Sequence, residues 1–118
     1  MQERRSTKRI KISYYVPVVN ADSYEQLGIL LEITPTGLQV DSTKLVPLDL
    51  PLRLRLDLTD ESFEQPFLTF TAQAKWTRPD RIEPSFYNIG FQITQLADGD
   101  KEILEKIMEK YTRIKSTK

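Results

Sequence analysis

Leu52-Arg53-Leu54-Arg55-Leu56-Asp57-Leu58 alternates leucine with charge without a break. A period of two places all four leucines on one face of a β-strand and Arg53, Arg55 and Asp57 on the other, so one side is buried and the other wet. That is the pattern of an antiparallel sheet with one solvated face. On the C-terminal side, the acidic loop 59–66 is followed by a return to strand over 67–77, with Phe67, Phe70 and Trp76. Residues 78–84 break the pattern with two prolines, and 85–96 make a last strand containing Ile89-Gly90-Phe91. Trp76 and Phe91 read as core aromatics. On the N-terminal side, the apolar run 27–34 meets Pro35 and Gly37 and resumes over 38–42, so 27–42 reads as a hairpin. Residues 10–19 mix β-branched and aromatic types, and Pro17 points to an edge or a bulge.

One helix closes the chain. Asp98 or Asp100 is expected to cap it, Glu102 suits its first turn, and Ile103, Leu104, Ile107, Met108, Tyr111 and Ile114 fall on one stripe. That stripe requires a surface to cover, at an open end or side of the β-structure. About six strands followed by one helix, with no β-α-β alternation, predict a mainly β fold: a six-stranded antiparallel Greek-key barrel with a C-terminal α-helix.

The chain of 118 residues is read as one domain, 1–118, with a flexible basic segment at 1–12 and the helix at 98–115. Its hydrophobic content of 39% and charged content of 29% are those of a folded soluble chain. No apolar run approaches the roughly 20 residues of a membrane span. The basic N-terminus is not followed by an apolar stretch, so it is not a secretory signal, and a cytoplasmic location is expected. The sequence has no Cys and no His, which excludes thiol and imidazole chemistry and ordinary zinc sites. Asp57, Asp60, Glu61 and Glu64 match no calcium-loop spacing, so no metal is expected. No phosphate loop, nucleophile elbow or paired-carboxylate motif is present, and an enzyme is not expected.

Net charge is zero but unevenly spread. Residues 1–15 carry a net +4, residues 20–70 a net −6 and residues 71–118 a net +2. A binder of nucleic acid polymers is usually basic across a whole face. Positive charge confined to Arg4-Arg5-Ser6-Thr7-Lys8-Arg9 favours a small anionic ligand. Guanidinium groups give two-pronged contacts to phosphate and stack on bases, and Arg5 and Arg9 on an extended segment reach opposite sides of one bulky ligand. Glu32 and Thr34 point to a common outer face because Ile33 belongs inside. There a carboxylate accepts hydrogen bonds from a guanine edge, and a hydroxyl bonds phosphate or base. Gly37 permits positive φ or close backbone approach.

Arg-Arg-Ser-Thr-Lys-Arg (4–9) with Glu-Ile-Thr-Pro-Thr-Gly-Leu-Gln-Val (32–40) resembles the PilZ domain, whose motifs are RxxxR and, some twenty to thirty residues on, [D/N]xSxxG. Ala74-Lys75-Trp76, Ile89-Gly90-Phe91 and the C-terminal helix resemble the family's later elements. The resemblance implies a six-stranded barrel that binds cyclic di-GMP, a bacterial second messenger. Arg5 and Arg9 match the motif arginines that grip guanine and phosphate, and Gly37 matches the motif glycine. Glu32 stands where Asp or Asn is usual and Thr34 where Ser is usual. Each keeps its polar group and adds one carbon, a displacement of about a bond length that bears on a hydrogen bond's narrow useful range. Arg4, just before the motif, would contact a second stacked nucleotide, giving one or two ligand molecules per domain. The expected function is a second-messenger receptor relaying to a downstream protein partner by ordering of its N-terminal segment. The alternative is a degenerate PilZ-like interaction module that binds no nucleotide.

Overall fold

The computed structural model describes residues 10–11, 15–58, 63 and 65–116. Its strands are β1 (Ile10–Lys11), β2 (Pro17–Asn20), β3 (Gln26–Ile33), β4 (Gly37–Ser42), β5 (Leu52–Asp57), β6 (Phe67–Pro79) and β7 (Tyr87–Gln95), followed by helix α1 (Asp98–Ser116). Strands β2 to β7 close on themselves in the order β3-β2-β5-β6-β7-β4, with β4 paired back to β3. Every pairing between these strands is antiparallel. The hairpin-linked strands β5, β6 and β7, with β4 returning beside β7, make the Greek key. The six-stranded barrel with a C-terminal helix is therefore the fold. The two-residue β1 lies outside the closed ring, paired to the end of β3.

Closure follows from the alternation. Leu54, Leu56 and Leu58 point inward at 0–6% exposure, while Arg53, Arg55 and Asp57 face out. Leu30, Ile33, Val40, Leu68, Ala72, Ala74 and Ile89 complete the same core from the other strands. Ser42 is the one buried polar residue among those described, and its hydroxyl donates to the Leu27 carbonyl and accepts from the Lys44 N–H at 2.9 Å.

Three expectations are refined. The segment 10–19 is two strands, β1 and β2, with a bulge between Val18 and Val19; Pro17 opens β2, a position where a missing N–H is tolerated. The helix cap is Ala97, not an aspartate: its carbonyl accepts from Asp100 N at 2.9 Å and Lys101 N at 3.2 Å, so Asp98 and Asp100 sit in the first turn, where their charge favours the helix N-terminus. Arg55 is not a plain wet-face residue. Its Nε donates to Asp57 Oδ1 at 2.8 Å, and its guanidinium stands 5.7 Å from the Tyr24 ring centre and 5.3 Å from that of Phe67. Arg53 is exposed, as expected.

Helix α1 buries Leu104 and Ile107, half-buries Ile103 and Met108, and packs on β1 and β6. Tyr111 and Ile114 of the predicted stripe belong to the helix, but their side chains lie outside the described residues.

Candidate functional site

The site is built on the β3–β4 hairpin. Ile33 and Leu38 face each other in register and leave a four-residue reversal, Thr34 to Gly37. Pro35 supplies the fixed φ that a tight turn needs at that position. The Thr34 N–H donates to the Gly37 carbonyl at 2.8 Å, and the Thr34 hydroxyl accepts from Gly37 N at 2.9 Å and Thr36 N at 3.2 Å while donating to the Gly37 carbonyl at 3.3 Å. One donor and two acceptor positions are all a hydroxyl has. Thr34 therefore serves the shape of this turn. The Thr36 carbonyl accepts from Ile93 N at 2.8 Å, which pins the tip to β7.

Gly37 is required for close approach. Among the described residues no glycine has positive φ, and a Cβ at position 37 would stand 2.5 Å from the Phe91 carbonyl oxygen. Of the two properties that make glycine useful here, the structure uses the second.

Replacing Thr34 by Val keeps the shape and removes the hydroxyl. We expect a loss of about 1–2 kcal/mol, because net contributions of roughly 1 kcal/mol per bond are withdrawn and the Gly37 N–H is left without its partner. Thr34→Ser should stay within about 0.5 kcal/mol of the parent, since the hydroxyl remains. Thermal unfolding of the two variants side by side decides this.

Registers across the sheet set out the wall beside the turn. Glu32 on β3 pairs with Gln39 on β4, Gln39 with Gly90 on β7, and Gly90 with Trp76 on β6. Ile33, Leu38, Ile89 and Phe91 point into the core, so Glu32, Gln39 and Gly90 belong to the outer face. With strands about 4.8 Å apart, this row runs roughly 14 Å around the barrel. Glu32 thus stands on the outer wall, as its spacing from Ile33 predicts.

Trp76 departs from expectation. Phe91 is core at 4% exposure, but Trp76 is half-buried on the outside. The pairing of β6 with β7 slips between Ala74 and Trp76, and this bulge turns the indole out. The ring occupies the space where Gly90 lacks a side chain: a Cβ there would lie 2.2 Å from the indole Cε2. The Arg78 guanidinium sits 4.3 Å from the indole centre. The result is a flat cation-backed aromatic surface on the same row as Glu32. Sequence reading missed it because a lone tryptophan in a strand looks like core; the glycine opposite it, at position 90, is the signal that could have found it.

Next to Trp76 lies an acidic corner. Asn88 Nδ2 donates to Asp80 Oδ1 at 3.1 Å and to Asp41 Oδ1 at 3.3 Å. Burial, and then the neighbouring Asp80 charge, raise the Asp41 carboxyl above its usual range; hydrogen bonds from the Glu83 N–H, the Asn88 amide and the Ile82 N–H hold Asp80 below it. This corner favours hydrogen-bond donors over phosphate.

Arg4, Arg5 and Arg9 lie outside the described residues. Their attachment point does not. Ile10 pairs with Ile33 and Lys11 with Glu32, so Arg9 is covalently joined to a residue hydrogen-bonded beside the Thr34–Gly37 turn.

The PilZ domain model matches residues 3–110, and the chain belongs to the PilZ domain family. Among solved structures, the PilZ domain of YcgR from Escherichia coli with c-di-GMP is similar at a TM-score of 0.69 and 14% identity, covering 94% of this chain and 93% of that one. The K. pneumonia MrkH–c-di-GMP complex matches at 0.76 and 18%, covering 99% of this chain and 57% of that one. The Bacillus subtilis inhibitor of motility (MotI/DgrA) matches at 0.71 and 15%, covering 98% and 53%. The chain thus spans little more than half the length of MotI or MrkH. No curated protein matches it by sequence. At these identities the likeness establishes the fold.

Proposed function

We propose that this PilZ domain is a cyclic di-GMP receptor whose ligand lies on the outer wall between the N-terminal arginines and Trp76. The observation that carries the reading is the β1–β3 pairing, which sets Ile10 and Lys11, the residues that follow the RxxxR motif in sequence, against the end of β3 that leads into the Thr34–Gly37 turn. Support comes from family membership and from the c-di-GMP complexes of YcgR and MrkH.

The electrostatics orient the ligand. Arg5 and Arg9 enter at the β1 end of the row and take the phosphates by two-pronged, charge-assisted bonds. The Asp41–Asp80 corner at the far end repels phosphate and accepts from guanine N–H groups. Glu32 offers the same acceptor chemistry on β3, and Trp76 gives a base a face to stack on. Thr34 and Gly37 act through the turn, which fixes Glu32 and lets the chain pass close to β7. Arg4 contacts a second, stacked ligand molecule where two bind.

The relay is ordering of the segment 4–9 over this wall, which presents a new surface to a downstream protein partner. Reduced hydrogen exchange across residues 1–12 on addition of cyclic di-GMP is the expected result; exchange unchanged at saturation would contradict the relay.

Two-dimensional NMR of the chain titrated with cyclic di-GMP tests the location. Shifts are expected at Glu32, Gly37, Gln39, Gly90 and the Trp76 indole N–H. Shifts confined to β2 and β5, on the opposite wall, would overturn the placement. Trp76→Ala should weaken binding by about 5- to 150-fold, the equivalent of one base-stacking contact of roughly 1–3 kcal/mol.

A further inference from the structure

Beside the row that carries Glu32 and Trp76 runs a second one. Arg78 on β6 pairs with Asn88 on β7, and Asn88 with Asp41 on β4. Ile89, Val40 and Ser42 point into the core, so Asn88 and Asp41 face out, and Arg78 is exposed. With neighbouring strands about 4.8 Å apart, the two ends of this row stand roughly 10 Å from each other. That is the order of the span of a purine with a hydrogen bond at each side.

The two ends differ in chemistry. Strand β6 carries Lys75 and Arg78. Lys75 Nζ bonds Asp49 at 2.6 Å, whereas the Arg78 side chain makes no ion pair or hydrogen bond with a described residue. Its contact is the indole of Trp76, 4.3 Å from the ring centre. Stacking engages only the face of a guanidinium; the N–H groups lie in its plane and stay free, donors with no acceptor among them. The indole therefore holds this fork in place without using it. At the other end, the Asn88 amide bonds one oxygen of Asp41 and one of Asp80. The second oxygen of Asp80 accepts from Ile82 N at 3.0 Å and Glu83 N at 2.9 Å. The second oxygen of Asp41 accepts from no described residue. Asp80 is committed to its own loop, and Asp41 keeps an acceptor open on the wall.

A donor fork at one end and an open acceptor at the other complement guanine and not adenine. Guanine presents the acceptors O6 and N7 along one edge, which arginine meets with two bonds, and its N2 amino group is a donor on another edge; adenine has an N6 amino donor in place of O6 and no N2 amino group. In this row adenine would set its N6 amino group against Arg78 and the bare N1 lone pair against the Asp41 carboxylate. We infer that Arg78 and Asp41 select guanine, Arg78 by donating to O6 and N7 and Asp41 by accepting from the N1–H and N2 amino side of a base lying over Asn88. This assignment rests on the cyclic di-GMP reading above and names the residues that make it selective.

The test is calorimetry of the full chain, and of Arg78→Met and Asp41→Asn, with cyclic di-GMP and with its adenine counterpart, cyclic di-AMP. The quantity read is the ratio of the two affinities, which a change felt alike by both ligands does not move. Each variant is expected to lose about 5- to 150-fold of the preference for guanine, the discrimination of one good two-pronged base contact, so the parent should show a preference of at least about 25-fold. Methionine keeps an unbranched stem against the indole and removes the donors; asparagine keeps the size of Asp41 and removes its charge. A thermal melt checks that each variant folds, and should Asp41→Asn not fold, Arg78→Met decides alone. A parent that binds both ligands alike, or a preference that survives in either variant, would overturn the inference and leave the receptor reading standing. Loss of all binding in a folded variant would overturn it too, because that residue would then grip the ligand whatever its base. A parent that binds neither ligand would contradict the receptor reading itself, and this assignment with it.

Discussion

Arg5→Ala and Arg9→Ala should each weaken cyclic di-GMP binding by about 10- to 150-fold, and the double variant should show none at accessible concentrations. A hydrogen bond to a charged group contributes roughly 1.5–3 kcal/mol, and a guanidinium on a phosphate makes two in parallel. Lysine at either position keeps the charge but not the fork, so Arg9→Lys should recover only part of the loss. The core is formed by β2 to β7 and helix α1, so these changes should leave the melting temperature within about 1–2 °C of the parent, the behaviour of surface substitutions. Calorimetry beside a thermal melt separates the two quantities. A folded Arg9→Ala variant with full affinity would show that the tether at β1 does not deliver this arginine to the ligand.

Gly90→Ala tests the wall from beneath. The added Cβ would meet the indole Cε2 at 2.2 Å and Nε1 at 2.3 Å, so the ring must leave its seat. Inserting a group into a filled space costs about 1–3 kcal/mol, and the Arg78 stack on the indole is lost with it. Stability should fall by that amount, and affinity should fall as far as in Trp76→Ala. The pair should not be additive: once Trp76 is alanine, Gly90→Ala removes no further binding, because residues in contact couple. Independent effects of the two changes on affinity would mean that Trp76 does not form part of the ligand surface.

Particular elements show why the sequence was readable in some places and mute in others. The leucine alternation of β5 carries its own answer, because a period of two has one consistent burial pattern. The β3–β4 hairpin was legible from Pro35 and Gly37, and helix α1 from its stripe. Glu32 was placed correctly on the outer wall by counting from Ile33. Trp76 was not, because a one-residue bulge reverses the facing of everything after it and has no composition of its own. The role of the Thr34 hydroxyl within its own turn was hidden for a related reason: hydroxyls that cap turns and hydroxyls that contact ligands are the same residue type. The cap at Ala97 shows that Asp98-Gly99-Asp100 offers two candidate caps and the chain uses neither. Arg55 reads as a solvated cation and is clasped by Asp57 of its own strand and by Tyr24 and Phe67 from two other elements. What local periodicity dictates was visible; what depends on register between distant strands was not.

Calorimetric titration of the folded chain with cyclic di-GMP is the most direct measurement. Saturable binding at low micromolar or better, with one or two molecules per chain, is the expected result. An absence of heat from a chain with an intact melting transition would contradict the receptor reading. If tight binding then appeared in Glu32→Asp/Thr34→Ser, the loss would be assigned to those two residues and the chain to the non-binding interaction modules.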